Sequence, residues 1–86
     1  MDNRIRKRVA YHFGRVLKQL RDEVGMSQEA LAADADIDRT YPSCLERGIR
    51  SPTIAVLFKI ANALHVDAGK LVQMTERHMD DETEEL

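Results

Sequence analysis

The side chains with the richest chemistry in this sequence are concentrated between residues 38 and 50, DRTYPSCLERGIR. Arg39 carries a planar fork of donors that matches paired acceptors such as the O6/N7 edge of guanine, and Thr40 offers a hydroxyl or a methyl group. The alternative for Arg39 is a surface ion pair with Asp36 or Asp38. Cys44 is either a redox sensor, since an exposed thiol near arginines can ionise, or a passive small residue. This segment therefore predicts hydrogen bonding and ion pairing at a surface.

Catalytic and metal chemistry find no support in the sequence. It has no set of nucleophile, histidine and acid and no glycine-rich phosphate loop, and a helical protein of 86 residues has little room for a substrate cavity. His12, His65 and His78 lack the spacing of metal ligands, and no cysteine pair accompanies them. We therefore expect no metal, no cofactor and no enzymatic activity.

Two short helices joined by a tight turn are predicted over residues 28–47. Ser27 and Asp38 stand eleven residues apart, and each can lend a side-chain oxygen to the free amides of a helix N-terminus. Ala32 has to be small because the second helix crosses the first closely there. The apolar side chains that would share the inner face are Leu31, Ala32, Ala35, Ile37 and Leu45.

Three further helices are predicted around this pair, so the sequence favours an all-α fold. Gly25 would end the first helix, Thr53 would cap the fourth, and Asp67 would cap the fifth. The apolar stripe of the first helix is Ile5, Val9, Phe13, Val16, Leu17, Leu20 and Val24. The buried stripe of the fourth is Ile54, Leu57, Ile60, Ala61 and Leu64.

Residues 17–71 resemble the helix-turn-helix domain of the phage repressor and Cro-like family, also called XRE-type. The resemblance rests on five segments in the right order and spacing: GMSQEALA (25–32), the turn through Ile37, SCLERG (43–48), SPT (51–53) and IANALHV (60–66). It implies a five-helix bundle whose third helix enters the major groove of double-stranded DNA, usually as a dimer. The run DRTY (38–41) is similar to that of restriction-modification controller proteins within the same family.

The resemblance also implies which residues face DNA. Arg39 and Thr40 are expected to contact base edges, and Arg47 and Arg50 to contact phosphates in the exit loop. The residues implied to face the groove or its rim are Arg39, Thr40, Tyr41, Ser43 and Cys44.

Other residues are implied to hold the motif in shape. Gln28 would contact a phosphate and brace the recognition helix. Arg21 and Glu46 would pair, fixing the first helix against the recognition helix and neutralising a carboxylate beside the DNA-facing surface. Ala32 and Ile37 would pack the two helices of the motif together.

Two residues depart from the family's pattern. Asp36 stands at the turn position where the family usually has glycine, and aspartate tolerates the left-handed conformation better than most residues. Pro42 occupies a position of the recognition helix, expected over 38–47, where the family buries a branched aliphatic residue. With Asp38 as the cap, Pro42 would be the fourth helical residue and would delete one backbone hydrogen bond. We expect a tilted or loosened start to this helix.

Charge divides the chain into three parts. Residues 1–24 carry seven Lys/Arg against three Asp/Glu, and residues 67–86 carry two against seven. We predict a basic extension of the first helix over 1–10, a DNA-binding domain over 11–75 and an acidic, unstructured tail over 76–86. The tail is either a solubilising end or a strip that competes with phosphate. Since a phosphate responds to the local field within about 8 to 10 Å, the net charge of −2 is compatible with a nucleic-acid partner.

Composition and length bound the remaining properties. The single cysteine excludes an internal disulfide and fits a reducing compartment. Neither a secretion signal nor an apolar run of roughly 18 residues is found, so we expect a cytoplasmic protein. The small core favours a homodimer. The leading hypothesis is a sequence-specific, double-stranded DNA-binding transcriptional regulator on a palindromic operator. The alternative is a protein-interaction module such as an antitoxin or adaptor, which Pro42 keeps open.

Overall fold

The structure, a computed structural model, describes residues 4–84. These residues form five α-helices, so the predicted all-α bundle is confirmed. The helices are α1 Arg4–Val24, α2 Gln28–Ala35, α3 Tyr41–Glu46, α4 Ile54–Ala63 and α5 Ala68–Glu84.

The core lies where the five helices meet. Helix α1 packs against α3 and α5, α2 packs against α3 and α4, and α4 packs against α5. Every helix contributes at least one fully buried side chain, and full burial of a leucine or isoleucine is worth about 1.5 to 3 kcal/mol. These side chains are Val16, Leu17, Leu31, Pro42, Leu45, Ile60 and Leu71. The short helix α3 is therefore held firmly on its inner side.

Side-chain caps start two of the helices, as the sequence predicts. The Ser27 hydroxyl accepts a hydrogen bond from the Ala30 amide at 3.0 Å, and the Thr53 hydroxyl accepts one from the Val56 amide at 3.1 Å. Each bond satisfies an amide that has no partner inside its own helix. These caps fix where α2 and α4 begin, and α2 in turn positions the turn that leads to α3.

Gly14 sets how closely α1 approaches α3. A Cβ atom at this position would lie 2.8 Å from the Glu46 carbonyl oxygen and would collide with the Leu45 carbonyl oxygen. Only glycine lets the backbones come together at this point. The sequence does not indicate this role of Gly14, because a glycine inside a helical pattern does not reveal what lies against it.

The structure corrects the expected unstructured tail for residues 76–84, which continue α5. Residues 85–86 lie outside the described part. Glu82 Oε2 lies 2.6 Å from His12 Nε2 and 3.5 Å from Arg8 Nε. Because α1 supplies these partners, the acidic end of α5 stays ordered against it. The division of the chain into extension, domain and tail otherwise remains a prediction.

Three residues assigned to apolar stripes lie on the surface instead. Ile5 and Val24 of α1 and Ile54 of α4 are more than half exposed. All three stand in the first or last turn of their helices, where the neighbouring helices no longer cover the stripe.

Candidate nucleic-acid interface

A tight turn joins α2 to α3 and sets the angle between them. Asp36 adopts the left-handed conformation with φ 54° and ψ 53°, so aspartate does take the place of the expected glycine. The Ile37 amide donates to the Ala32 carbonyl at 3.0 Å, which closes the end of α2. Ala32 is buried at the crossing, and Ile37 packs against the core. The turn has the geometry that the sequence predicts.

Helix α3 begins later than predicted, and this changes the effect of Pro42. Thr40 is the cap residue and Tyr41 the first helical residue, so Pro42 is the second helical residue rather than the fourth. Amides in the first turn have no partner within the helix, so proline removes no hydrogen bond there. The predicted loss of a backbone hydrogen bond at Pro42 is therefore wrong. Pro42 is fully buried and fills the core position that an aliphatic side chain would occupy.

Asp38 organises the start of α3 without being its cap. Its Oδ1 atom accepts a hydrogen bond from the Thr40 amide at 2.8 Å and another from the Thr40 hydroxyl at 2.6 Å. The bond from the Thr40 hydroxyl lowers the pKa of Asp38 most. The bond from the Thr40 amide and the nearby positive charge of Arg50 lower it further. Asp38 is thus a carboxylate at neutral pH. It bonds Thr40 within the turn, so the prediction that Asp38 caps the helix is wrong.

A nearly buried cluster of polar side chains joins α1, α2 and α3. The Arg21 guanidinium donates to both oxygens of Glu46, at 2.7 and 3.0 Å, and to the Met26 carbonyl at 2.7 Å. Gln28 Nε2 donates to Glu46 Oε1 at 3.1 Å. The Arg21 and Glu46 side chains are only 11% and 5% exposed, so solvent screens the pair weakly. Glu46 raises the pKa of Arg21, mainly through this hydrogen bond.

The cluster contains the Arg21–Glu46 pair that the sequence analysis expected, and Gln28 contacts the same carboxylate. Because Glu46 is the last residue of α3, the cluster fixes that end of the helix to α1 and α2. Buried charges that are paired and hydrogen-bonded are costly to separate. Helix α3 is therefore held at its C-terminal end by the cluster and along its inner side by Pro42 and Leu45.

The outer side of α3 and its flanking turns present the remaining candidate residues together. Arg39, Thr40, Arg47 and Arg50 are exposed, whereas Tyr41, Ser43 and Cys44 are partly buried along the helix. Among residues 4–84, no ion pair joins Arg39 to Asp36 or Asp38, which was its alternative role.

Two arginines at the exit from α3 rest on its surface. The Arg50 guanidinium lies 5.0 Å from the centre of the Tyr41 ring, within the range of a cation–π contact. Arg47 Nε donates to the Ser43 carbonyl at 3.3 Å, and Arg47 Nη2 lies 3.8 Å from the Cys44 sulfur. Both arginines are exposed and so keep donors for an anionic partner.

Two short helices, a fixed turn and a polar outer surface on the second helix define a helix-turn-helix protein. Residues 17–71 match the helix-turn-helix family HTH_3, and the chain belongs to this family of DNA-binding transcriptional regulators. Among residues 4–84, no helix is both long and apolar enough to cross a membrane.

Restriction-modification control proteins are among its relatives. The chain is 39% identical over 70 residues to control protein C.MunI of a Mycoplasma species. These residues cover 80% of this chain and 95% of that protein. It is 41% identical over 64 residues to control protein C.BamHI of Bacillus amyloliquefaciens, covering 73% and 79%. The controller protein C.Esp1396I, solved as a tetramer with its natural 35 base-pair operator, superimposes with a TM-score of 0.74 at 35% identity, covering 83% of this chain and 93% of that chain. The predicted similarity to controller proteins is confirmed.

Proposed function

We propose that this protein is a cytoplasmic transcriptional regulator of the controller type, which binds a palindromic DNA operator as a homodimer. The observation that carries the proposal is the exposed start of α3. Arg39 and Thr40 project from it, while Pro42, Leu45 and Glu46 hold the rest of the helix against the core. A rigid helix with exposed polar side chains at its start matches how helix-turn-helix proteins contact base edges in the major groove.

The contacts with DNA divide into two kinds. Arg39 and Thr40 contact base edges, because their side chains lie at the start of the helix that enters the groove. Tyr41, Ser43 and Cys44 line the rim of the groove. Arg47 and Arg50 contact phosphates.

Gln28 has a double role in this proposal. Its amide donates to Glu46, as the brace on the recognition helix requires. As the first residue of α2 it also stands near the N-terminal amides of that helix, which favour a phosphate. The Glu46 carboxylate does not oppose this contact, because Arg21 neutralises it.

The homodimer follows from the geometry of duplex DNA. Two copies of α3 about 34 Å apart would enter successive major grooves on one face of the duplex. C.Esp1396I binds its operator as a tetramer, which supports assembly of several chains on one operator here. A chain of this size also gains stability from a partner subunit.

The alternative function is a protein-interaction module without specific DNA contacts. The position of Pro42 removes the main reason for this alternative. That residue was the reason to doubt the recognition helix, and it occupies the second helical position without breaking a hydrogen bond.

The test is selection of bound sequences from a random pool of DNA duplexes, followed by footprinting on the DNA upstream of the protein's own gene. We expect a palindrome whose half-sites are one helical turn apart, and a footprint over a matching sequence. Recovery of no preferred sequence, together with strong binding to a co-expressed protein, would support the interaction module instead.

A further inference from the structure

The Thr40 hydroxyl is not a free hydroxyl. Its oxygen lies 2.6 Å from Asp38 Oδ1, and the Thr40 amide lies 2.8 Å from the same atom. Both distances are in the range of strong hydrogen bonds. Both residues are exposed, at the start of the helix that faces DNA in the proposed function. The side chain beside the bases therefore already has a partner on its own chain.

The direction of this hydrogen bond follows from counting protons. A carboxylate has no proton to donate, and Asp38 is ionised at neutral pH because its pKa lies below the ordinary value. The hydroxyl must therefore be the donor, and its single proton points at Asp38. The Thr40 oxygen keeps only its lone pairs for any other partner.

We propose that Asp38 is a positioning residue for DNA specificity, which makes Thr40 a hydrogen-bond acceptor only and so selects a base amino group opposite it. This inference rests on the proposed function. In the major groove, amino groups are presented by adenine at N6 and by cytosine at N4, whereas guanine presents O6 and thymine presents O4. An oxygen that can only accept a hydrogen bond binds the amino groups of adenine and cytosine and is repelled by the oxygens of guanine and thymine. Thr40 thus favours adenine or cytosine at the base it contacts.

The same reasoning excludes a phosphate as the partner of Thr40. Phosphate oxygens accept hydrogen bonds, and the only proton of the Thr40 hydroxyl is engaged. Asp38 itself adds negative charge near DNA, which weakens binding to every sequence alike. A change in base preference at one position is therefore the signature of the Asp38–Thr40 bond, and a uniform change in affinity is the signature of charge.

The experiment compares five proteins: the wild type, Asp38→Ala, Asp38→Asn, Thr40→Val and the double variant of Asp38→Ala with Thr40→Val. The random duplex pool first identifies the operator of the wild type. Binding is then measured on operators in which each position of one half-site is changed in turn. Adenine is exchanged with guanine, and cytosine is exchanged with thymine. These exchanges replace an amino group by a keto oxygen at the same place in the groove. Circular dichroism checks that each variant is folded.

In the wild type, one position should favour the amino-bearing base by about fivefold, the value of one neutral hydrogen bond. Asp38→Ala frees the hydroxyl to donate or accept, so the preference at that position should fall to about twofold or less. Thr40→Val should abolish this preference. Adding Asp38→Ala to Thr40→Val should change no base preference further. Asp38→Asn keeps an oxygen that accepts from both Thr40 groups, so it should retain the preference while removing the charge.

Three results would overturn the inference. The first is an unchanged base preference in Asp38→Ala. The second is loss of the preference in Asp38→Asn, since charge would then be its cause. The third is that Asp38→Ala changes the base preference equally in the wild type and in Thr40→Val. If Asp38→Ala does not fold, Asp38→Gly, which also lacks an acceptor at this position, takes its place. Failure of the wild type to select any sequence would instead contradict the proposed function.

Discussion

At the scale of single residues, two exposed arginines at the ends of α3 differ in what surrounds them. Arg39 stands at the start of the helix and has no ion pair among residues 4–84 with the nearby aspartates. Arg50 rests on the Tyr41 ring beyond the C-terminal end of the helix. A base contact depends on the sequence of the DNA, whereas a phosphate contact does not. The two arginines should therefore differ in what their loss changes.

Arg39→Ala should lower the preference for one base pair by about 1 to 3 kcal/mol, because a bidentate contact with guanine would be lost. Arg50→Ala should weaken binding to all DNA alike and reduce the slope of affinity against salt by about one unit. Each variant is the control for the other. Titrations of cognate and random duplexes at several salt concentrations measure both effects. Equal losses on cognate and random DNA for both variants would show that these roles are assigned wrongly.

The Arg21–Glu46 pair gives a prediction about folding stability. Glu46→Ala leaves the Arg21 guanidinium nearly buried without its carboxylate, which should lower the free energy of unfolding by about 3 kcal/mol. The matched control is Lys18→Ala, which removes the partner of Asp22 from a pair that is 56% and 54% exposed and leaves Arg21 untouched. The control should change stability by less than about 0.5 kcal/mol. Urea unfolding curves provide the comparison, and similar losses in the two variants would refute a special role for burial.

At the scale of helices, the position of α3 depends on how closely α1 can approach it. Gly14→Ala should destabilise the fold by about 1 to 3 kcal/mol, because its new methyl group would collide with backbone carbonyls that cannot rotate away. Gly69→Ala is the control, since a Cβ there meets nothing within 4 Å. That change should be neutral or stabilising by about 0.5 to 1 kcal/mol, as alanine favours a helix. Thermal unfolding of both variants measures the difference, and a stable Gly14→Ala would mean that α1 and α3 can separate without cost.

The helices and the site were predictable from sequence to different degrees. Caps and apolar stripes act within a few residues, so Ser27 and Thr53 identified the starts of two helices correctly. The start of α3 was displaced because Asp38 can hydrogen-bond the chain either as a helix cap or as part of a preceding turn. The helical end of α5 depends on Glu82 contacting His12, 70 residues earlier in the chain, and no local pattern indicates such a contact. Gly14 was missed for the same reason.

At the scale of the whole molecule, the contact between Glu82 and α1 joins the last helix to the first. The hydrogen bond from His12 is the main cause that lowers the pKa of Glu82 below its ordinary value of 4.5. The hydrogen bond from Arg8 lowers it further. A carboxylate whose pKa is lower when folded contributes stability above its unfolded pKa and loses it as the pH falls through the folded pKa. The attachment of α5 should therefore weaken below about pH 4.5.

Glu82→Gln should accordingly melt below the wild type at pH 7, and the two melting temperatures should converge as the pH falls below 4.5. Asp81→Asn removes one exposed acidic charge from the same end of α5 and is the charge-matched control, with little change expected at pH 7. Melting curves between pH 3 and 7 test this. A constant difference between the wild type and Glu82→Gln over this range would show that the contact contributes nothing that depends on ionisation.

The proposed dimer makes the spacing of the two half-sites a property of the whole assembly. Inserting about 5 base pairs between them turns one half-site to the opposite face of the duplex, and inserting about 10 restores the face but moves it about 34 Å away. A rigid dimer cannot span either change, so both operators should bind about 100-fold more weakly, at the level of a single half-site. Gel-shift titrations against the native spacing and an isolated half-site measure this. Recovery of affinity at the longer spacing would mean that the two DNA-binding domains are flexibly linked, and no loss at either spacing would mean that each chain binds alone.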